Sequence, residues 1–239
     1  MYVHNSTLLP VKPYLYTMEP TILFEDGHLI VLHKPAGIAV EVDKFGYASL
    51  EGWVREHLDQ KPQPSNAILG IVHRIDRPVS GVVIMAKKKS VLVHLNEQFA
   101  KGAVAKTYYA VVSGTPQAGK VQLQHHLVKD PALKKAIVVP KKNRKSVFVT
   151  LDYTVLQQKD NLTLLEVHPH SGKYHQIRAQ LGAAGLPIVG DALYGSVLPY
   201  HKDAIMLHAG KLTVVHPVTN ETVTYVADFP ADWTMTVPA

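Results

Sequence analysis

The chain has 239 residues, of which 46% are hydrophobic and 18% charged, and this length is ample to bury the core of one large domain. No apolar run approaches the roughly 20 residues needed to cross a bilayer, and the first ten residues lack the pattern of a secretory signal. Cysteine is absent, which excludes disulfides, thiolate nucleophiles and cysteine-ligated zinc. We therefore expect a soluble, cytoplasmic protein with no membrane partner. The formal charge of +6 suits binding to a polyanion, although many soluble proteins are equally basic.

The first half of the chain predicts alternating short strands and helices. Residues 1–20 carry three prolines without a clear period and are interpreted as an N-terminal arm. The predicted elements are a hairpin of Ile22–Phe24 and Leu29–Leu32, a helix over Leu50–Leu58 capped by Ser49, a strand at Val82–Ala86, a helix over Val91–Phe99 capped by Ser90, and a strand at Tyr108–Val112.

The second half is richer in strands. Its predicted elements are strands at Val121–Leu127, Ala136–Val139, Val147–Leu151 and Leu162–Val167, a helix from about Tyr174 to Ala184, and strands at Met206–Val215 and Thr222–Val226. Strands in groups with few helices between them favour an α+β fold, with a mixed, mainly antiparallel sheet and flanking helices. No linker divides the chain, so we expect a single domain over residues 21–235.

The densest group of charged residues lies between His73 and Gly81. Asp76 stands among His73, Arg74 and Arg77, directly before a predicted buried strand. A carboxylate surrounded by cations stays ionised even where water is excluded, which suits a nucleophile or a general base. A surface loop of ion pairs has the same composition, so these residues alone leave both interpretations open.

A second polar segment runs from His168 to Arg178, at a predicted junction between a strand and a helix. Free backbone N–H groups at such a junction favour a phosphate or a carboxylate. His168, His170 and His175 also raise the alternative of a metal-dependent hydrolase. No carboxylate lies among them, and the ligand set is poor, so we expect no metal.

Two further segments are basic or aromatic. Lys106 precedes the pair Tyr108 and Tyr109 in a predicted strand, where the period of two places the tyrosines on opposite faces. At most one of them therefore faces a cleft. The cluster Lys141–Lys145 is interpreted as a solvated hairpin turn, with phosphate contact as the alternative.

Taken together and in this order, these segments resemble the RluA-type family of pseudouridine synthases over about Ile22 to Trp233. The matching strings are Leu32–Gly37, His73–Gly81, Lys106–Tyr108, Gly172–Arg178, Pro187–Asp191, Leu207–Ala209 and His216–Pro217. The resemblance implies a mixed, mainly antiparallel sheet around a central basic cleft. It also implies an enzyme that flips a uridine out of a ribosomal or transfer RNA stem-loop and isomerises it, with no cofactor and no metal.

The resemblance also implies roles for individual residues. Asp76 matches the catalytic aspartate, Arg178 its arginine partner, and Tyr108 the tyrosine that stacks on the base and helps to remove the proton from carbon 5. Arg74 matches the residue that fills the gap left by the flipped base, and Leu207 the apolar residue beside the uracil. Six other residues are predicted to contact RNA: His73, Arg77, Lys106, Lys173, His175 and Gln176.

The chain departs from the family pattern at Val79, where threonine is usual, and at Lys173, where arginine is usual. Only residues 1–20 precede the motifs, so we expect no extra N-terminal RNA-binding domain. We also expect a monomer. A non-catalytic RNA-binding module with the same fold is the remaining alternative, and the presence of Asp76, Tyr108 and Arg178 argues against it.

Overall fold

The computed structural model describes residues 19–42, 48–60 and 68–235, and the N-terminal arm lies almost wholly outside these ranges. The described part contains eleven strands in one sheet, three α-helices and one turn of 3₁₀ helix. The strands are β1 Thr21–Glu25, β2 Leu29–Lys34, β3 Gly70–Ile71, β4 Ser80–Ala86, β5 Ala105–Ser113, β6 Lys120–Asp130, β7 Lys135–Val139, β8 Val147–Lys159, β9 Leu162–Pro169, β10 Leu207–Val215 and β11 Thr222–Val226. The helices are α1 Leu50–Asp59, α2 Lys89–Ala100 and α3 Gln176–Ala183, and the 3₁₀ turn is Ala192–Tyr194. No helix within the described ranges is long and apolar enough to span a bilayer.

The sheet is mixed and mainly antiparallel, as predicted. Its strand order is β1-β2-β4-β10-β5-β9-β8-β6-β7, with β3 attached to β4 and β11 attached to β10. Only β4 and β10 run parallel among the described pairs. Short connections join neighbours such as β1 and β2, which explains the antiparallel majority, whereas β4 and β10 are distant in sequence.

Helices cover both faces of the central strands. On one face, α1 buries Leu50, Val54 and Leu58 in a core cluster that α3 enters with Ile177 and Leu181. On the other face, α2 packs its own apolar side chains against β4 and the end of β10. Every residue of β4 is therefore buried, as its continuous apolar sequence predicts.

The helix boundaries agree with the sequence in one case and differ in two. Ser49 caps α1 as predicted, because its Oγ accepts the Gly52 N–H at 3.1 Å. The prediction for Ser90 is wrong. Helix α2 begins at Lys89 without a side-chain cap, so Ser90 lies in the first turn of the helix. Helix α3 starts at Gln176 rather than near Tyr174, because His175 has a left-handed backbone with φ of 51°. The two-residue strand β3 was not predicted.

The short parallel junction between β4 and β10 sets the geometry of the centre. Only Ser80 and Gly81 of β4 pair with β10, opposite His208 and Ala209. The Ala227 carbonyl only accepts, so Nε2 of His208 donates to it at 3.2 Å and Ser80 Oγ donates to Nδ1 at 2.8 Å. This buried link ties the first residue of β4 to the start of β10 and to Ala227, which directly follows β11.

Gly81 is the residue that allows the two strands to meet. Its φ is +122°, and a Cβ on Gly81 would lie 2.2 Å from the carbonyl oxygen of Ala209. Backbone atoms on the neighbouring strand do not move aside cheaply, so a side chain here is excluded.

We expect Gly81→Ala to lower the free energy of unfolding by about 3 kcal/mol or more, because it adds both backbone strain and a clash with backbone. Urea denaturation followed by circular dichroism measures the change. The matched control is Gly27→Ala, since a Cβ at Gly27 meets no atom within 4 Å. Equal denaturation midpoints for Gly81→Ala and Gly27→Ala would contradict the assigned role of the junction.

Candidate active site

Backbone hydrogen bonds hold the loop that carries Asp76 from two sides. On one side the Gly37 N–H donates to the carbonyl of Arg77 at 2.9 Å, and Arg77 Nε donates back to the Gly37 carbonyl at 2.8 Å. On the other side the Ile205 N–H donates to the carbonyl of Pro78 at 3.1 Å. The loop is thereby rigid where Asp76 projects from it. Arg77, which we predicted to bind RNA, serves here to fasten this loop.

Lys34 adds a buried anchor beneath the same loop. Its Nζ donates to three carbonyl oxygens, those of Pro35 and Ile38 at 2.8 Å each and that of Arg77 at 3.2 Å. Three acceptors match the three N–H groups of an ammonium. Burial lowers the pKa of Lys34 to about 7, and the negative charge of Asp76 opposes this effect.

The two carboxylate oxygens of Asp76 have different surroundings. Oδ2 accepts from Nη1 of Arg178 at 3.1 Å and lies 3.7 Å from Nε2 of His175. Oδ1 has no hydrogen-bond partner among the described residues, and the side chain is 26% exposed at the wall of a pocket. The described residues therefore engage one carboxylate oxygen of Asp76 and leave the other without a partner.

Arg178 is more firmly bound to Asp191 than to Asp76. Its Nε and Nη2 donate to the two oxygens of Asp191 at 2.7 and 2.9 Å, in the bidentate geometry that suits a guanidinium. The side chains of Arg178 and Asp191 are 6% and 2% exposed. Burial opposes the charge of Arg178, but hydrogen bonds and charge from Asp191, followed by Asp76, raise its pKa above the usual value. The guanidinium also lies over the ring of Tyr194 at 5.1 Å.

The tyrosine pair divides between two faces of β5, as the strand period predicted. Tyr108 lines the pocket with Asp76, whereas Tyr109 is buried on the other face against Phe229 at 4.7 Å between ring centroids. Burial, followed by the negative charge of Asp76, raises the pKa of the Tyr108 hydroxyl above its usual value. Tyr108 therefore carries its proton in the resting site.

The pocket combines an apolar wall with a polar rim. It encloses about 480 Å³, including space open to solvent. Its lining residues are Arg74, Ile75, Asp76, Val79, Lys106, Tyr108, Pro169, Ser171, Gly172, Lys173, His175, Gln176, Ile177, Arg178 and Leu207. Asp76, Tyr108, Arg178 and Leu207, which the sequence predicted to act together, are thus brought together although they come from four separate segments.

Three cations surround the mouth of the pocket. Lys106 donates to the carbonyl of Ser171 at 3.1 Å, and Lys173 is exposed on the loop before α3. Arg74 is 65% exposed and donates to Glu41 at 2.6 Å. These three residues also line a larger groove that runs past Phe99 and continues from the pocket. The arrangement is that of a surface suited to a polyanion.

Two residues predicted to contact RNA are already committed within the protein. Nε2 of His73 accepts a hydrogen bond from the backbone N–H of Ile84 at 3.1 Å. Ile84 lies on β4 between the residues that pair with β10 and those that pair with β3. Burial, followed by the charge of Lys106, lowers the pKa of His73 to about 3. The Gln176 side chain accepts from Ser171 Oγ at 2.6 Å and donates to the carbonyl of Thr150 at 3.1 Å. RNA contact by these side chains stays a prediction.

The three histidines of the hydrolase alternative have separate partners. His168 is paired with Glu166 at 2.9 Å, and His170 with Asp152 at 3.2 Å. His175 lies between Asp76 and Tyr194. No group of three metal-ligating side chains occurs in the part of the chain that the structure describes.

Three residues of the site were not predicted from the sequence: Lys34, Asp191 and Tyr194. Lys34 and Asp191 lie in two strings that match the family, and Tyr194 lies three residues beyond the second of these. The matched strings were the available signal for Lys34 and Asp191, whereas no matched string contains Tyr194. Only the tertiary structure places Lys34 beneath the loop that carries Asp76, and Asp191 beside Arg178. The cluster Lys141–Lys145 is an exposed turn between β7 and β8, in agreement with the prediction.

Comparisons with known proteins identify relatives of this chain. The model of the RNA pseudouridylate synthase family matches residues 28–183, which is more than half of the chain. The Bacillus subtilis (strain 168) protein named Uncharacterized RNA pseudouridine synthase YhcT is 31% identical over 216 residues, covering 90% of this chain and 70% of that protein. Ribosomal large subunit pseudouridine synthase C of Buchnera aphidicola subsp. Acyrthosiphon pisum is 35% identical over 212 residues, covering 82% of this chain and 63% of that protein.

Solved structures support the same fold. The structure of Human RNA Pseudouridylate Synthase Domain Containing 4 superposes with a TM-score of 0.72 at 24% identity, covering 88% of each chain. That of Human RNA Pseudouridylate Synthase Domain Containing 1 has a TM-score of 0.74 at 21% identity, covering 89% of this chain and 84% of the other. At these identities the likeness concerns the fold alone. The family match and the relatives above 30% identity go further: this chain is an enzyme of the RluA-type RNA pseudouridylate synthase family.

Proposed function

We propose that this protein converts uridine in structured RNA to pseudouridine, with Asp76 as the catalytic carboxylate. The observation that supports this most directly is the asymmetry of Asp76. Oδ2 accepts from Arg178, whereas Oδ1 has no partner among the described residues, and Asp76 lines a pocket together with Tyr108 and Leu207. A carboxylate fixed through one oxygen leaves the other free to attack or to take a proton.

The proposed reaction needs no external reactant. The bond from N1 of uracil to C1′ of the ribose breaks, and a bond from C5 to C1′ forms. The hydrogen on C5 is lost, and N1 gains one, so that substrate and product have equal mass. The pocket offers a carboxylate and a phenol for these steps, and both belong to the protein.

The uridine must leave its stack before it can turn, which costs a few kcal/mol. In the proposal, Arg74 offsets part of this cost by stacking in the vacated space. Arg74 is suited to move, because its one described partner, Glu41, forms an exposed ion pair with it. Such pairs contribute about 0–1 kcal/mol, so little is lost when Arg74 leaves.

The flipped uracil is proposed to lie between Tyr108 and Leu207, because these two side chains give the pocket an aromatic and an apolar surface. The hydroxyl of Tyr108 is protonated at rest, through burial and through the charge of Asp76. Any step that neutralises Asp76, such as a bond from its carboxylate to the nucleotide, removes the second of these effects. The hydroxyl of Tyr108 then gives up its own proton more readily, which links its role to a late step.

Ribosomal RNA is the proposed substrate class. The Buchnera relative is named as a ribosomal large subunit pseudouridine synthase, and further relatives at 32–34% identity carry the same name. Transfer RNA, a monomeric state and a cytoplasmic location stay predictions from the sequence. The cations Lys106, Lys173 and Arg74 at the mouth supply the phosphate contacts that such a substrate requires.

We expect Asp76→Asn to abolish pseudouridine formation while RNA affinity changes only several-fold, because the amide keeps the size of the side chain but cannot act as a nucleophile or base. Tritium release from ribosomal RNA labelled at C5 of uridine measures turnover, and filter binding measures affinity. Substantial product from purified Asp76→Asn would overturn the proposal. An inactive wild-type protein that binds RNA would favour the non-catalytic module instead.

For Tyr108→Phe we expect the single-turnover rate to fall by about a hundredfold, with affinity nearly unchanged, because the stacking ring stays and the proton-transferring hydroxyl is lost. Tyr109→Phe is the matched control, since it removes a hydroxyl from the adjacent residue on the opposite face of β5. Equal rates for Tyr108→Phe and wild type would remove the hydroxyl from the mechanism.

Asp191→Asn tests the support of Arg178. We expect a loss of about 3 kcal/mol in the free energy of unfolding, because a buried guanidinium loses its charged partner. Turnover should fall as well, since Arg178 is no longer aimed at Asp76. Glu97→Gln is the comparison, because it breaks an exposed ion pair with Lys101, and such pairs contribute less than about 1 kcal/mol. Similar small losses for Asp191→Asn and Glu97→Gln, measured by urea denaturation, would count against this role.

A further inference from the structure

His175 lies between the carboxylate of Asp76 and the hydroxyl of Tyr194. Its Nδ1 is 2.9 Å from Tyr194 Oη, and its Nε2 is 3.7 Å from Oδ2 of Asp76. The ring stacks on Tyr174 with 3.8 Å between centroids, and the side chain is 10% exposed. Both ring nitrogens therefore face protein groups rather than solvent.

Close packing brings Tyr194 to this position. A Cβ on Gly182 would lie 2.8 Å from the backbone oxygen of Tyr194, so α3 approaches the 3₁₀ turn only because residue 182 is glycine. His175, which has a left-handed backbone directly before α3, places its Nδ1 2.9 Å from the Tyr194 hydroxyl. Helix, turn and histidine thus form one packed unit.

The direction of the hydrogen bond between Tyr194 and His175 follows from a third group. The backbone N–H of Ala136 donates to Tyr194 Oη at 2.8 Å, so this oxygen is an acceptor on that side. Burial raises the pKa of Tyr194 to about 12, so the hydroxyl keeps its hydrogen. Among the described residues, Nδ1 of His175 is the acceptor within hydrogen-bonding distance for that hydrogen. Tyr194 is therefore the donor, and Nδ1 of His175 is unprotonated.

An unprotonated Nδ1 determines the state of the other nitrogen. A neutral imidazole carries one hydrogen, which must then be on Nε2, the nitrogen that faces Asp76. Burial lowers the pKa of His175, and the charges around it act in both directions. Asp76 and Asp191 favour the imidazolium, whereas Arg178 and Lys129 disfavour it.

We propose that His175 is a positioning residue for Asp76, fixed by Tyr194 as the Nε2–H tautomer so that Oδ2 faces two donors and Oδ1 is reserved for the nucleotide. This inference rests on the proposed function. Oδ2 of Asp76 thus has two donors on different residues, Nε2–H of His175 and Nη1 of Arg178. Together these two donors restrict rotation of the carboxylate. A contact of 3.7 Å tightens to a hydrogen bond through a small movement, as catalytic contacts do when a substrate binds.

The inference differs from the role that the sequence predicted for His175, which was contact with RNA. A residue that contacts RNA changes affinity when it is replaced. A positioning residue changes the rate of the bound complex and its dependence on pH. The two roles are therefore separable by experiment.

The first experiment uses the protein without RNA, so it is independent of the proposed function. Long-range ¹⁵N–¹H correlation spectra of protein labelled with ¹⁵N-histidine report the tautomer of each imidazole, and His175→Gln identifies the signal of His175. We expect the Nε2–H tautomer at neutral pH. We also expect Tyr194→Phe, which keeps the ring under Arg178, to give mixed tautomers or protonation at higher pH. An Nδ1–H tautomer or an imidazolium in the wild type would overturn the inference.

The second experiment compares His175→Leu with His175→Gln on the RNA substrate, after urea denaturation has shown that both fold. The two side chains are similar in size, but only glutamine offers an N–H near the position of Nε2. We expect His175→Leu to lower kcat about tenfold with KM within about twofold, and to move the acid limb of the kcat profile to higher pH. His175→Gln should recover kcat to within about threefold of wild type.

The opposite outcomes are equally clear. Equal losses in kcat for both variants, with an unmoved acid limb, would assign His175 a structural role and overturn the inference. A change confined to KM would do the same in favour of RNA contact. Absence of isomerisation by the wild-type protein would overturn the proposed function, while the spectra would still decide the tautomer.

Discussion

The site depends on one buried cation, the guanidinium of Arg178. Removing such a group from water costs several kcal/mol unless anions replace the solvent. Asp191 takes two of its donors and Asp76 a third, across separations of 13 and 102 residues in sequence. Helix α3, the 3₁₀ turn and the loop before β4 are therefore held in one arrangement. The pairing with Arg178 also fixes the carboxylate of Asp76, which lines the pocket.

Most ionisable groups near Asp76 already have partners within the protein, whereas Oδ1 of Asp76 has none among the described residues. The ammonium of Lys34 is taken up by three carbonyl oxygens, and His73 accepts a backbone N–H of β4. Tyr108 is protonated, because burial and a nearby anion both disfavour the phenolate. The exposed cations lie farther out, at the mouth. The site thus separates buried charges that are paired within the protein from exposed charges at the rim.

Local patterns in the sequence predicted the features that depend on neighbouring residues. The period of two separated Tyr108 from Tyr109, and Ser49 was identified as a cap because its hydroxyl reaches an N–H three residues on. Failures occurred where distant contacts override local preference. Ser90 is a residue type that often caps helices, but it lies inside α2. His175 has a left-handed backbone, so α3 begins only at Gln176. No local pattern marks the two-residue strand β3, which exists only through pairing with β4.

By itself the sequence determined the class of fold, the positions of most strands along the chain and the family, because apolar periods and ordered motifs are properties of the chain. It also placed Asp76, Tyr108 and Arg178 among the candidate site residues. Only the tertiary structure decided that Asp191 is the main partner of Arg178 and that Tyr194 and Lys34 belong to the site. The reason is physical: a hydrogen bond depends on distance and direction between side chains. These become defined only when segments far apart in sequence pack against each other.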